Sequence, residues 1–594
     1  MTLNRTFASM IEDVDGAQLQ SHLVEFSRWI KEAGSDGERA SLAYVRACLD
    51  GFGYSTDLIL HDAYISLPRE ASIEIAGERL ACITHSFSQS TLPVGTRGRG
   101  IVIGAGAPGD FASTDVQGRI VIVDGIATPP VAMRAAKAGA IGQIHVSPHD
   151  HRHEMCISPV WGNPSHETLP NLPVTVVVSV TKTVGEQLKA RLMADPDCEI
   201  SLHAAVDTGW RKTPILVAEL PAPAGGMTDP FVMFTGHHDT WHYGVMDNGG
   251  ANATMIEVAR LCALHRDQWL RGLRLIFWSG HSQGRYSSSA WYADTHWEEI
   301  HRRAVAHVNI DSTGARGNVV LFDAQADAEL VSLAREAVRQ HADQDFAGHR
   351  VARAGDQSFW GIGVPAIFSS LGEQPASDAP VAAAMLFGGP GRKGAGTGWW
   401  WHTPDDTLDK MDVSIAIRDT QIYLHVVWAL LSRTVLPLDY AAHVGALQQR
   451  LEHDRRLVDG RFDLSPMSAR ADALKADLDI LNHIAAGDVT TEQAAAINAC
   501  LMAVSRALVP IEHTIGDRFE HDPALAVAAY ATLSPLATLA ASERGSDAEK
   551  FATVALTRAQ NRIAWALLQA GDAVRTCLIA LDGDTHKGQA DAAP

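Results

Sequence analysis

Four short stretches of the chain gather side chains that bind metals or move protons. FTGHHDTWHYGVMDNGGA holds His237, His238, Asp239, His242 and Asp247 in one segment, FWSGHSQGRYSSSAWYAD holds His281 and Ser282, HVNIDSTG holds Asp311, and WWWHTPDDTLD holds His402. Imidazole and carboxylate are ligands of zinc, cobalt or manganese, and a single Asp can bridge two ions with one oxygen on each. In a chain with 27 histidines any one of these means little, because a His at a strand end is more often a satisfied polar residue than a ligand. The set His237, Asp247, Asp311 and His402 is far more specific than its members. It predicts a divalent metal, zinc first, at one or two ions per chain. The chemistry implied is hydrolysis: such an ion lowers the pKa of its water toward about 7 and polarises a carbonyl.

The elements that must position these residues are readable as well. FVMFT (Phe231–Thr235), LRLIFW (Leu273–Trp278), AVAHVNI (Ala304–Ile310) and VPAIFSS (Val364–Ser370) are continuous apolar runs, as strands covered on both faces require. Helices predicted at about 249–265, 325–342 and 412–433 alternate with them. The expected fold is therefore α/β, a mostly parallel sheet flanked by helices, with the metal-binding loops outside its carboxyl edge. Residues 1–60 carry helical spacing in LQSHLVEFSRWI and ERASLAYVRACLDGFGY, and join 206–436 in the expected catalytic domain. Residues 61–205 change texture to short β runs, RIVIVDG, AIGQIHVS and LPVTVVVSV, interrupted by one helix at VAMRAAKAGA (Val131–Ala140), and read as an inserted β-rich domain. Residues 437–594 read as a helical domain. Gly388–Gly398 predicts a mobile loop ending in an aromatic wall, Trp399 to Trp401, with Trp401 beside His402 as a candidate surface for a substrate side chain. Arg285 and Arg353 are candidates for holding a substrate carboxylate. His238 and His242 flank the same pocket.

Forty-nine Lys and Arg against 69 Asp and Glu leave a formal charge of −20, which repels nucleic acid and anionic membrane surfaces alike. The amino terminus lacks the basic start and apolar run of a secretory signal, and no stretch reads as roughly 18 consecutive apolar residues. The seven cysteines are scattered with no CxxC pair. A cytoplasmic protein with no nucleic-acid or membrane partner is the expectation, with a peptide or small molecule as substrate.

The whole arrangement resembles the cocatalytic zinc aminopeptidase and glutamate carboxypeptidase II family of clan MH metallopeptidases. The resemblance implies a zinc-peptidase fold, a protease-associated insert over 61–205 and a dimerising helical tail, hence a homodimer. It also implies His237 as ligand with Asp239 as its supporting carboxylate, Asp247 as the bridging carboxylate beside Asn248, Asp311 as a further ligand and His402 as the ligand of the second ion. One segment departs from the family. Where the family has Trp-x-x-Glu-Glu-x-Gly, a general base followed by a ligand, this chain has Trp278-Ser279-Gly280-His281-Ser282-Gln283-Gly284. Three readings follow. His281 takes the proton as a general base, since imidazole titrates near neutrality; or it replaces the lost ligand; or the chain is a catalytically silent binding protein. Retention of the other ligands favours an enzyme that cleaves an amide bond.

Overall fold

In the computed structural model, which describes residues 5–226, 229–377 and 392–590, the apolar runs join in one sheet. Its strands are β1 (Ser55–Ile75), β2 (Glu78–Ala81), β3 (Ile83–Thr84), β4 (Thr96–Val102), β5 (Ile120–Asp124), β6 (Gly142–Val146), β7 (Val176–Val180), β8 (Glu199–Leu220), β9 (Phe231–His237), β10 (Gly272–Trp278), β11 (Ala304–Asn309) and β12 (Ala366–Ile367). β9, β10 and β11 are buried at every position. β10 runs parallel to β9 with Trp278 opposite His237, while β11 flanks the other side with Asn309 opposite Thr235 and β12 lies parallel beyond it. The segments that leave β9, β10 and β11 therefore emerge at one edge. Helices Gly16–Phe26, Ala251–Leu264 and Val413–Ser432 pack on one another beside β9, and a cluster of Phe231, Ile276, Trp278, Tyr292 and Phe359 fills another part of the core.

The parallel character holds only within parts of the sheet. β8 is antiparallel to β10, and β1 and β8, of 21 and 22 residues, form a long antiparallel ribbon with a register shift between Pro68 and Ala71. β8 then pairs antiparallel with β4, from which β4, β5, β6 and β7 continue in parallel. The expected domain borders at 60/61 and 205/206 fall inside β1 and β8, so the inserted segment is carried on continuous strands. It has its own apolar core, including Ile73, Ile122, Ile144, Val178, Leu188 and Leu202. It also holds helices Pro108–Ser113 and Lys182–Ala194 besides Pro129–Lys137, where one helix was expected. The second had readable signals: the Thr181 side chain caps Val184 N–H, and Leu188 and Leu192 are buried at i, i+4 spacing.

Beyond residue 437 the described chain is helical, with helices Tyr440–Val458, Ser465–Ala485, Thr491–His513, Pro535–Ala541 and Asp547–Ala590. Contrary to the sequence expectation, Thr491–His513 and Asp547–Asp582 are long and apolar enough to cross a membrane by length and composition, and 61% of the apolar window of the first is buried among its neighbours. Residues 388–391, the start of the Gly-rich segment, lie outside the described residues.

Buried charge fastens the tail to the sheet. His443 Nδ1 lies 2.9 Å from Glu329 and 3.4 Å from Glu512, and His513 lies 3.2 Å from Asp327 while stacking on Trp360. Burial opposes a charge on His443, yet Glu329 and Glu512 more than offset it and push the imidazole up to about 9. A histidine raised from 6.5 in the unfolded chain contributes stability that is complete below 6.5 and is lost as the pH rises through 9. The thermal midpoint should accordingly fall between pH 7 and 10. His443→Asn should lower stability at pH 7 by roughly 3 kcal/mol and flatten that slope; an unchanged slope in calorimetry refutes the assignment.

Candidate metal centre

β9 ends on His237 at the sheet edge, and a tight turn returns the chain to Asp247. Gly244 makes that turn at φ +51, where a Cβ would stand 2.3 Å from the Asp247 carbonyl oxygen. Two anchors hold Asp247. The Asp406 carboxylate accepts the N–H groups of Met246 at 2.8 Å and of Asp247 at 3.0 Å, and burial pushes its own carboxyl up to about 7. Asn248 accepts from Ser312 N–H at 3.0 Å, which ties the turn to the segment carrying Asp311. Asn252, on the following helix, donates to the carbonyls of His237 and Asn248.

His237 Nε2 then lies 3.1 Å from Asp247 Oδ1 and 3.5 Å from Asp311 Oδ1, and the other Asp247 oxygen lies 3.2 Å from His402 Nε2. Donors each about 2.0–2.2 Å from one tetrahedral ion stand roughly 3.3–3.5 Å apart, so these spacings are those of coordination spheres. The second nitrogens are already committed: His237 Nδ1 to the Asp239 carbonyl at 2.8 Å and His402 Nδ1 to the Glu154 carbonyl at 2.6 Å. Both Nε2 lone pairs thus face the carboxylates, as ligating histidines require. Charge agrees with shape. Burial disfavours a protonated His237, yet Asp311 and Asp247 hold it well above the ordinary imidazole range, so the site draws positive charge between its carboxylates. His237 Nε2 nevertheless makes no well-formed hydrogen bond, and the donor set fits a divalent cation.

His281 stacks on His237 with ring centroids 3.8 Å apart, and His237, His281 and Asp311 each bring a donor atom within 4.8 Å of the others. Its Nδ1 is bound to the buried Asp356 carboxylate at 2.9 Å. The turn that carries it is fixed by Asp239, whose two oxygens accept the N–H groups of His281 at 3.1 Å and Ser282 at 2.9 Å. Asp239 therefore orients both His237, through its carbonyl, and His281, through its carboxylate.

The model of peptidase family M28 matches residues 216–427, the segment that supplies all of these residues but one anchor, the Glu154 carbonyl. Residues 216–427 form a peptidase family M28 domain. The chain is 27% identical over 241 residues to a probable glutamate carboxypeptidase, VP8, of Zea mays, covering 38% of this chain and 32% of the relative. It is 24% identical over 270 residues to a probable glutamate carboxypeptidase, AMP1, of Arabidopsis thaliana, covering 40% and 34%. It thus spans about a third of the length of the curated relatives it matches. Among solved structures, a peptidase M28 precursor from Shewanella amazonensis aligns over 73% of this chain and 97% of its own at a TM-score of 0.56 and 16% identity. The zinc aminopeptidase BSAP of Bacillus subtilis aligns over 70% and 95% at 0.53 and 18%. These likenesses show the fold of the M28 domain.

Several expected site residues stand elsewhere in the domain. Arg285 donates to the Ala524 carbonyl, and Arg353 donates to the carbonyls of Asp522 and Pro523 while lying over Trp161; both guanidiniums fasten the helical tail instead of standing open for a substrate carboxylate. Trp401 stacks on His402 at 3.5 Å and is 7% exposed, so it backs the ligand, and Trp399 is the outward ring of the three. His238 is buried against Phe26 and Asn252, behind the site, whereas His242 stands at its rim, 4.0 Å from Glu154. Asp356 and Glu154 join the site without any local sequence pattern that marks them. Glu154 reaches the site from the insert: its N–H donates to the His402 carbonyl at 2.9 Å, and burial pushes its carboxyl up to about 8. His402 itself sits at φ +58, and the reciprocal bonds to Glu154 offset the roughly 1–2 kcal/mol that this left-handed conformation costs.

Proposed function

We propose that this chain is a metal-dependent hydrolase that cleaves an amide bond in a peptide or a small amide conjugate. The observation that carries the reading is the Asp247 carboxylate, which turns one oxygen toward His237 and the other toward His402. His237, Asp247 and Asp311 would hold one ion and Asp247 with His402 a second, weaker one, because the first position has two carboxylates and the second only a share of Asp247. Zinc suits this donor set. When bound, the metal lowers the pKa of water and polarises the scissile carbonyl. His281, its Nδ1 proton held by Asp356, would accept a proton from the attacking water and give it to the departing amine. Asp239 keeps His281 and His237 in register. The names of the relatives, probable glutamate carboxypeptidases, and of the zinc aminopeptidase neighbour support a peptide substrate and zinc.

Dialysis of the full-length protein against a chelator should abolish hydrolysis of a panel of amino-acid amides, dipeptides and N-acyl amino acids, and zinc should restore it. A protein that holds zinc yet cleaves none of them would instead be a silent binding protein. We further propose a homodimer through the helix Asp547–Ala590. Its exposed Phe551, Trp565 and Ile579 recur every 14 residues, close to four helical turns, with Val554 and Leu568 beside them, and form an apolar stripe. A monomeric mass by light scattering refutes it.

A further inference from the structure

The insert carries a second cluster of imidazoles that the M28 domain does not account for. Its loop His149-Asp150-His151-Arg152-His153 brings His149 Nε2 and His153 Nε2 to 3.3 Å from each other. Two nitrogens each about 2.0–2.1 Å from a tetrahedral zinc ion stand roughly 3.3–3.4 Å apart. His153 is preset as a ligand: it is 2% exposed, its Nδ1 is bound to the Trp401 carbonyl at 2.6 Å, and its Nε2 lone pair faces His149. A carbonyl partner of this kind is what fixes the tautomer of a metal-binding histidine. His149 Nδ1 lies 3.5 Å from Ser147 Oγ, which accepts the ring proton once Nε2 coordinates; otherwise Nδ1 accepts His151 N–H at 3.2 Å. His151 flanks the pair, with its ring 5.2 Å from that of His149 and stacked on Trp399 and its Nδ1 4.0 Å from Asp405, so its side chain would have to turn to reach an ion held by the other two.

We propose that His149 and His153, with His151 beside them, form a separate site for one divalent cation of the zinc, nickel or copper class. The loop it would clamp runs straight into Glu154, whose backbone exchanges two hydrogen bonds with that of His402 and its ring. An ion there stiffens the frame that holds His402 and joins the insert to the M28 domain.

The test uses the full-length protein with Asp247→Asn, which disables the catalytic centre, so its outcome does not depend on the proposed activity. Metal-stripped protein is titrated with zinc alone by calorimetry, with and without His149→Asn added; His149 is half-buried, and circular dichroism checks the fold. The proposal expects the added substitution to remove one zinc per chain, or to weaken that zinc more than about 100-fold, beyond the usual cost of changing an outer-shell group. His153→Asn should do the same, and copper bound to the Asp247→Asn protein should show imidazole nitrogen hyperfine coupling that His149→Asn diminishes. Unchanged stoichiometry and affinity, or no zinc bound before His149 is replaced, overturns it.

Discussion

Asp247→Asn should empty the catalytic centre and abolish turnover while leaving the protein folded. The substitution keeps the shape of the side chain and all the backbone bonds that position it, since Asp406 and Asn248 grip the turn through main-chain N–H groups and neighbouring segments. What it removes is charge. Among the described residues Asp247 is the one carboxylate that faces both His237 and His402, so its loss leaves the first position with one carboxylate, Asp311, and the second with an imidazole alone. The expected loss of zinc affinity at this centre exceeds about 100-fold, because replacing even an outer-shell partner costs about 10–100-fold. His402→Ala discriminates between the positions: it should weaken only the second ion. Zinc counted by elemental analysis on both variants, beside amide hydrolysis, reads this directly. A wild-type level of zinc and activity in Asp247→Asn would refute the bridging role.

The parts of this site legible in the sequence are those that local patterns dictate. Continuous apolar runs mark β9, β10 and β11, and the residues that follow such strands must emerge at a common edge, which brings His237, His281 and Asp311 together. His402 was legible through its Pro-Asp-Asp turn, although the use of Asp406 as the clamp on Asp247 was not. Asp356 lies 75 residues from His281 in an irregular segment without periodicity, and nothing local announces their pairing. Glu154 meets His402 across 248 residues, from the irregular segment between β6 and β7 of the insert. Arg285 and Arg353 mislead for the same reason in reverse: their guanidiniums resemble open anion sites until the tail carbonyls at 522–524 arrive. Trp401 is next to His402 in the chain, but adjacency in sequence says nothing about which face of a ring is covered. The border of the insert was hidden because β1 and β8 pass through it without a break in strand pattern.

His281→Ala and Asp356→Asn together decide what replaced the missing pair of glutamates. If His281 carries the proton, its removal should lower turnover by on the order of 10²–10⁴-fold, the range of a general base, while the zinc held by His237, Asp247 and Asp311 stays bound. Asp356→Asn should then follow it in direction: an amide cannot hold the Nδ1 proton as a carboxylate does, so the imidazole can present the wrong tautomer to the water. The loss should appear in kcat, with KM little changed, because neither residue is needed to hold substrate in its ground state. If His281 is a ligand, His281→Ala should remove zinc and activity in parallel, since its ring stacks on His237 within reach of the Asp311 donor. A third variant separates geometry from chemistry. His281→Glu restores the carboxylate that the resemblance predicts at this position, and it faces the Asp356 carboxylate as a like charge unless one of them takes up a proton. His281→Glu with Asp356→Asn relieves that conflict, so the double variant should recover activity that His281→Glu alone lacks. Full activity with unchanged zinc in His281→Ala would remove His281 from the mechanism altogether and leave proton transfer to another group at the rim, of which Glu154 and His242 stand nearest His402 in the structure.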